Sequence, residues 1–520
     1  MTKYRLWAAQ ASLIVVWILA NGAHGWYYGL FRDDWEFLGR AATWPYGTRT
    51  EYFFAHQLTA YRPLSFLLDV EVWSRLWPHE TLVWALLLIT MVITVFWARS
   101  MASQETGQPL WLASAVWLFW PGVVEGQSWI VGATGIVPSL FFLVAGFWFL
   151  LGVIHNKTPM WVWTIGAGIS FLVSDLCYEQ SWFAAFVIVA VIVYRYRQKF
   201  WLLATPPLVA LGITGWWYAI HQTGLRYNGK KPILSLQELN HTLHILVPQF
   251  GVIWGSQLVA AWREAFTMTM EPWYWWTEIT LAVGLMILAT WTRHKDSWSV
   301  KSGGILIGVG MAWWIAAYLP WFLTRYGWIA DRSITVSAVG LGLILEGFWI
   351  LLRHVFGVFG RIGGVLALAL ILLGGANLRA LDINAYARSD QLDLQLATTA
   401  HRVLTAHHIT HGILTSFTPV NSWVAWDYYG QDHISSTWSA PWGVQLMLED
   451  LSGGRDLFKV LAPTSPASDL TRHMVGLVVT RHRPRAIDLA QADAVRGLVF
   501  QVSLSHHNPH LIRWAWFNHR

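Results

Sequence analysis

Long apolar runs recur through the first 380 residues of this 520-residue chain, and they limit its possible folds more than any other feature. Crossing the hydrocarbon core of a bilayer takes about 20 apolar residues per helix, and many of the runs approach that length. Charged residues make up only 12% of the sequence, roughly half their share in a soluble domain. We therefore predict an all-α polytopic domain in the cell membrane, with about eleven transmembrane helices.

The formal net charge of +6 does not point to nucleic acid, because much of it lies in short loops between the runs. Positive charge in such loops marks the cytoplasmic side. Lys3 and Arg5 precede the first run, which lacks a small-residue cleavage site, so we interpret it as an uncleaved span that begins in the cytoplasm. The eleven predicted spans are residues 6–23, 81–97, 111–121, 136–154, 160–176, 181–194, 200–220, 277–291, 305–319, 333–352 and 362–378.

Two segments between the spans are expected outside the bilayer core. Residues 26–80 are polar and aromatic, which favours an outer segment. An amphipathic run at 244–261, followed by the aromatic cluster 273–276, is expected to lie on or dip into the outer surface. The 38 tryptophans of the chain fit aromatic belts at the two membrane interfaces, although some of them could instead stack on sugar rings.

Residues 381–520 differ from the rest of the chain, because they are polar and rich in His and Arg. We divide the sequence into a membrane domain, 1–380, and a small soluble α/β or α+β domain, 381–520, on the outer side. The predicted elements of this second domain are β-like runs at 413–417, 475–480 and 498–504 and helical stretches near 386–406 and 444–451.

Cysteine and histidine indicate no metal or redox chemistry. Cys177 is the single cysteine, so the chain can form no internal disulfide. His407, His408 and His411 have a spacing at which two imidazoles could share a helix face and bind zinc, but no Cys or Glu completes such a ligand set. We therefore predict neither a metal site nor a cofactor.

Four groups of charged residues follow or precede the predicted spans, all on the expected outer side, and charge at the membrane is costly enough to suggest function. The first group is Asp33 and Asp34 within Phe31-Arg32-Asp33-Asp34-Trp35. Adjacent carboxylates oppose each other's ionisation, so one of them is a candidate general base. The alternative is a solvated loop in which the aspartates cap a helix.

The second and third groups carry an arginine and two glutamates. Arg62, within Tyr61-Arg62-Pro63-Leu64, is a candidate ligand for a lipid phosphate or an arginine that reaches from the interface into water. Glu125 follows Pro121 and precedes Gly132, and Glu179 lies in Tyr178-Glu179-Gln180. Each glutamate stands at the end of a span, so either could bind substrate or could be an ordinary helix-end charge.

The fourth group is Ala330-Asp331-Arg332, which precedes Ser337 and Gly340. Asp331 and Arg332 could pair with each other, which would be a structural role. Arg325 lies six residues before Asp331 and could join a cationic pocket with Arg332.

The order of these groups along residues 1–350 is more specific than any one of them. The chain resembles the C-type (GT-C) integral-membrane glycosyltransferases, above all the protein O-mannosyltransferases and the transmembrane O-mannosyltransferases with tetratricopeptide tails. That branch has an acidic pair after the first span, then Tyr-Arg-Pro-Leu, Pro-x-x-x-Glu leading to Gly-Arg, Lys-Glu-Gln, and Ala-Glu-Arg ahead of Pro-Ser-x-Gly. The counterparts here are Asp33-Asp34, Tyr61 to Leu64, Pro121 to Glu125 with Gly132, Glu179-Gln180, and Ala330-Asp331-Arg332 with Ser337 and Gly340.

Three features depart from the family pattern. Tyr178 stands where the family has Lys, Ala133 stands where it has Arg, and residues 333–336 lack its tyrosines and proline. The C-terminal domain shows no tetratricopeptide pattern.

The resemblance implies a sugar donor on a polyprenyl phosphate and transfer at the outer face to an acceptor hydroxyl of a protein, lipid or glycan. It implies inversion at the anomeric carbon, with Asp33 or Asp34 as the base. Glu125 and Glu179 would position acceptor or sugar, and arginines would balance the phosphate charge without a metal. Two alternatives stay open: a cell-surface polysaccharide polymerase or ligase, and a lipid or solute transporter, although transporters usually carry inverted repeats and mid-membrane charges.

The placement of Lys and Arg predicts a cytoplasmic N-terminus and an extracytoplasmic C-terminal domain. Reporter fusions after Arg99, Lys199 and Ala380 are expected to report inside, inside and outside. An inside result at Ala380 would require an even number of spans and would separate the C-terminal domain from the proposed active face.

Overall fold

A computed structural model describes residues 3–25, 30, 34–44, 47–55, 62–155, 157–196, 200–221, 233, 235–268, 273–290, 300–324, 329–409, 411–417, 436–439, 441–452, 457–460, 474–481, 483–485, 488, 494, 496–504 and 510–518. The chain divides into two compact units. Unit 1 comprises Met1–Ala23, Gln57–Phe66 and Trp84–Leu381, and unit 2 comprises His24–His56, Leu67–Val83 and Asp382–Arg520.

The α-helices account for most of the described residues, as the long apolar runs predict. In chain order they are α1 Lys3–Gly25, α2 Ala41–Thr43, α3 Arg49–Ala55, α4 Pro63–Leu67, α5 Glu80–Thr106, α6 Trp111–Phe119, α7 Val123–Ser128, α8 Ile130–Ile154, α9 Met160–Cys177, α10 Ser181–Arg195, α11 Phe200–His221, α12 Leu236–Val252, α13 Leu258–Thr267, α14 Trp273–Thr290, α15 Val300–Phe322, α16 Ile334–Phe356, α17 Val358–Ala406 and α18 Pro441–Leu451. Five β-strands follow α17: β1 His411–Phe417, β2 Leu457–Val460, β3 Met474–Thr480, β4 Arg496–Ser503 and β5 His510–Asn518.

Seven helical segments of the described chain have the length and apolar composition needed to cross a bilayer, and α1 and α10 contain shorter apolar helices. The predicted class, a polytopic helical membrane part followed by a small α/β part, is confirmed. The seven segments are Glu80–Thr106, Ile130–Ile154, Met160–Cys177, Leu236–Thr267, Val300–Phe322, Asp331–Phe356 and Val358–Ala406.

Helices α15 and α16 pack antiparallel through glycines. A Cβ added to Gly340 would lie 2.5 Å from the Gly310 carbonyl oxygen, and one added to Gly303 would lie 3.0 Å from that of Gly347. A side chain at Gly310 or Gly340 would therefore push the helices apart. This packing brings the end of α15 and the start of α16 to one end of unit 1, which we name the motif end because Asp331 and Arg332 lie there.

The predicted span 111–121 is shorter than expected. Helix α6 has nine residues, a rise of about 14 Å, whereas the hydrocarbon core is about 30 Å thick. It ends before Pro121, and Gly122 then takes a left-handed conformation at φ +86°. The segment nevertheless follows α16, because Leu110 packs with Ile350 and the Val123 carbonyl accepts from Thr335 Oγ1.

A carboxylate from α16 supports the start of α6 inside this unit. Leu110 precedes α6 with φ +51° and provides no side-chain cap. The fully buried Glu346 accepts a hydrogen bond from the Ala113 N–H at 3.1 Å. Arg99 completes the arrangement, since its Nε donates to the Pro109 carbonyl at 2.9 Å and its guanidinium lies 3.5 Å from the Trp111 ring centroid.

The helix Leu236–Thr267, which contains the amphipathic run 244–261, lies across the motif end. Its residues 253–257 form a π-helical turn. Just before its start, the Ile233 N–H donates to the Leu323 carbonyl at the end of α15. At its far end, Asn377 of α17 donates to the Ala265 carbonyl at 2.8 Å. Both ends of this helix therefore contact the motif end, so the helix runs along that end of unit 1 and does not cross the unit.

Unit 2 contains a mixed five-stranded sheet with the order β2-β1-β3-β4-β5. Strands β1 to β4 pair in parallel, and β5 pairs antiparallel with β4. Three of these strands were predicted, whereas β2 and β5 were not. The helices expected at 362–378 and 386–406 are one continuous helix, α17, because no Pro or Gly interrupts residues 376–406.

The three histidines considered for zinc do not share a helix face. Helix α17 ends at Ala406, His408 has φ +56°, and His411 begins β1. The His407 ring instead stacks on Trp516 with ring centroids 4.3 Å apart.

Unit 2 also contains segments that precede most of the membrane helices, which the predicted boundary at 380/381 did not include. These segments are His24–His56 and Leu67–Val83, which belong to the same compact unit as Asp382–Arg520.

Replacing Glu346 tests its support of α6. Glu346→Ala leaves the buried Ala113 N–H without its acceptor, so we expect the free energy of unfolding in mixed micelles to fall by about 1–3 kcal/mol. Glu346→Gln should recover part of the loss. Glu105→Ala is the control, because this partly exposed carboxylate binds Tyr196 at the helix end, and equal losses in both alanine variants would contradict the capping role.

Candidate functional site

Arg62 and Glu179 form a two-point ion pair at the motif end of unit 1. The Arg62 Nε donates to Glu179 Oε2 at 2.6 Å and its Nη2 donates to Oε1 at 2.5 Å. The guanidinium also lies over the Tyr178 ring, with Cζ 4.0 Å from the ring centroid. A bidentate arginine–carboxylate pair fixes both orientation and distance, so Arg62 is not a side chain that simply reaches into water.

Glu125 and Arg332 form a second ion pair, which is more deeply buried. The Arg332 Nη1 donates to Glu125 Oε1 at 3.1 Å, with side-chain exposures of 9% and 0%. The Arg332 Cζ lies 5.0 Å from the Trp129 ring centroid. Glu125 is thus buried and is not a solvated helix-end charge. Arg332 pairs with this glutamate, which lies 207 residues away in the sequence.

The two pairs belong to one cluster. Tyr178 interacts electrostatically with both arginines and both glutamates. Burial raises the pKa of the Tyr178 hydroxyl, which therefore stays neutral at physiological pH. The partners are 117 and 207 residues apart in the sequence. The fold brings together four of the eight predicted site residues, and Asp331, which is buried beside Arg332, is a fifth.

Close backbone contacts hold the segments of this cluster in place. A Cβ at Gly126 of α7 would lie 2.8 Å from the Arg332 carbonyl oxygen, so the absence of a side chain lets α7 approach the turn Asp331–Ser333. The Gln249 amide oxygen accepts from the Ile329 N–H at 3.0 Å, and the Gln180 amide donates to the Ala317 carbonyl at 2.9 Å. These contacts fix the two loops that carry Arg332 and Glu179.

The acidic pair belongs to a different unit of the chain from the Arg62, Glu125, Glu179 and Arg332 cluster, which is in unit 1. Asp34 belongs to unit 2, is fully buried, and precedes a π-helix at Trp35–Arg40 without capping it through its side chain. It is therefore not part of a solvated loop. Asp33, Arg325 and Tyr61 lie outside the described residues.

Sequence reasoning missed the carboxylates that accompany Asp34. Asp390 of α17 interacts electrostatically with Asp34, Glu80 and Asp393 and accepts a hydrogen bond from the Leu30 backbone. Asp393 accepts from Ser436 Oγ at 2.6 Å. Asp390 and Asp393 lie well past the last apolar run, which ends at residue 378, and no motif marks them. Among the described residues, no group of three or more His, Cys, Asp or Glu side chains has the arrangement of a metal site.

No protein-family model matches the sequence, and no curated protein matches it. A solved structure, the crystal structure of ArnT from Cupriavidus metallidurans bound to undecaprenyl phosphate, is similar over 96% of this chain and 93% of that chain. The two sequences are 11% identical and the TM-score is 0.32. At this level of similarity the comparison assigns no residue of the site.

A double-mutant cycle tests the buried pair. Glu125→Gln and Arg332→Gln should each destabilise the protein, because each leaves a buried charge without its partner, a loss of about 3–5 kcal/mol. The double variant should lose less than the sum of the two. The more exposed Arg62–Glu179 pair is the internal comparison, and additive losses at Glu125 and Arg332 would show that the two side chains are not coupled.

Proposed function

We propose that the protein is an integral-membrane glycosyltransferase that moves a sugar from a polyprenyl-phosphate carrier to an acceptor hydroxyl. The observation that carries the proposal is the convergence of Arg62, Glu179, Glu125 and Arg332 around Tyr178. These residues come from segments widely separated in the sequence, and they are the segments that resemble motifs of the C-type glycosyltransferases.

The chemistry of the cluster suits a sugar joined to a phosphate. Carboxylates accept hydrogen bonds from sugar hydroxyls, and aromatic rings such as Trp129 offer faces to sugar C–H groups. A guanidinium has five N–H donors, so an arginine that binds a carboxylate can also donate to a phosphate oxygen. In this proposal Glu125 and Glu179 hold the sugar or the acceptor, and Arg62 and Arg332 bind the phosphate of the lipid carrier. Asp331 and Arg325 are further candidate substrate-binding residues.

The reaction needs one base and one stable leaving group. The acceptor oxygen attacks the anomeric carbon, a new C–O bond forms, and the bond from that carbon to the phosphate oxygen breaks. The acceptor proton passes to Asp33 or Asp34, and the electron pair of the broken bond leaves with the polyprenyl phosphate. Attack from the side opposite the leaving group inverts the anomeric centre. The outer face of the membrane and the absence of an obligatory metal or cofactor are part of the proposal.

Asn variants of the acidic pair test the proposed base. Asn keeps the size of Asp but cannot take the proton, and general-base assistance contributes about 10²–10⁴-fold. One of Asp33→Asn and Asp34→Asn should therefore nearly abolish transfer in a reconstituted assay while donor binding persists, and the other should lose less. The resemblance favours Asp33 as the base.

Asp488→Asn is the matched control, because Asp488 is a buried aspartate of unit 2 that accepts from the Arg485 backbone. It should transfer sugar at the wild-type rate. Near wild-type rates in both acidic-pair variants would reject the catalytic assignment and favour a polymerase or a transporter.

A further inference from the structure

A buried arginine of α17 lies outside the ion pairs described above. Arg379 is 1% exposed. Its Nε donates to Asn21 Oδ1 at 2.7 Å, its Nη1 to Gln127 Oε1 at 2.7 Å and its Nη2 to Ser128 Oγ at 3.2 Å. Its Cζ lies 3.9 Å from the Trp17 ring centroid. One guanidinium on α17 thus contacts both α1 and α7.

Helix α7 cannot hold its own position. It has six residues, whereas isolated helices shorter than about 12–15 residues are marginal in water. Gly122, at its start, is left-handed and provides no side-chain cap. External contacts must therefore fix it. At its start Thr335 binds the Val123 carbonyl. At its end Arg379 binds Gln127 and Ser128, and the Gln127 amide also donates to the Trp117 carbonyl at 3.0 Å.

Helix α7 carries the deeper ion pair of the cluster. Glu125 lies in α7 two residues before Gln127, and Trp129, which lies over Arg332, directly follows Ser128. A shift of α7 would therefore move both the carboxylate that binds Arg332 and the ring beside it.

We propose that Arg379 is a positioning residue of this cluster, which holds α7 so that Glu125 and Trp129 meet Arg332. Its role in transfer rests on the proposed glycosyltransferase function, whereas its hold on α7 does not. The planar fork of a guanidinium can reach three separate acceptors, and the single ammonium of a lysine cannot do so in the same geometry. A lysine in place of Arg379 should therefore not hold α7 in position, although it keeps the positive charge.

Hydrogen–deuterium exchange of the full chain in nanodiscs tests the hold on α7 directly. Arg379→Met should raise exchange in Val123–Ser128 by about tenfold or more, since a buried hydrogen bond to a charged group is worth at least that factor. Asn377→Ala is the matched control, because Asn377 lies two residues away and donates to the Ala265 and Met268 carbonyls. It should loosen α13 and leave α7 unchanged.

Two further variants and a kinetic measurement complete the test. Gln127→Met removes one acceptor of Arg379 together with the Gln127 bond to the Trp117 carbonyl, so Ser128→Ala, which removes the other acceptor in α7, accompanies it. Both variants should raise exchange in α7, even if Arg379→Met does not fold. In the transfer assay, Arg379→Lys should lower turnover at saturating donor by about tenfold or more, and Asn377→Ala should not. Unchanged α7 exchange in a folded Arg379 variant overturns the proposal, whereas raised exchange with an inactive wild type would reject only the glycosyltransferase function.

Discussion

Burying an arginine in a membrane domain requires partners for its charge, and this requirement organises unit 1. Four arginines are buried in the part of unit 1 that the structure describes, and each lies over an aromatic ring as well as binding an oxygen acceptor. The stacked pairs are Arg62 on Tyr178, Arg99 on Trp111, Arg332 on Trp129 and Arg379 on Trp17. A guanidinium is weakly hydrated and stacks well, so rings replace part of the lost water. Some tryptophans of this chain therefore serve buried charges and not the interface belts.

The apolar runs predicted the membrane helices because run length and bilayer thickness are directly linked. A change of composition does not always mark the end of a helix. The change from apolar to polar residues near 380 marks a change of surroundings, but α17 continues through it because nothing in the local sequence stops a helix. Conversely, α6 stops at Phe119 before Pro121, although the residues around it stay apolar. The membership of His24–His56 in unit 2 depends on contacts with residues hundreds of positions away, which no local pattern reports.

The candidate site was predictable as a set of residues but not as a set of pairs. The order of motifs identified Arg62, Glu125, Glu179 and Arg332. Adjacency in the sequence suggested an Arg332–Asp331 pair, whereas in the structure Arg332 pairs with Glu125. Arg379 was missed because it follows an apolar run and matches no motif. Its signal was physical: an asparagine and an arginine, Asn377 and Arg379, at the end of a membrane helix are costly unless they have partners.

The pairing of the cluster has a chemical consequence for the proposed reaction. The charges of two arginines and two glutamates cancel, and Asp331 adds a carboxylate, so long-range attraction does not favour an anion over a neutral molecule at this site. Recognition must come from donors and acceptors at hydrogen-bond distance, in a region where burial makes each one stronger. Such a site suits a ligand that is mostly uncharged and rich in hydroxyls, with one phosphate for the guanidinium groups. A sugar on a polyprenyl phosphate has this composition, whereas a strongly anionic substrate would meet carboxylates as often as arginines.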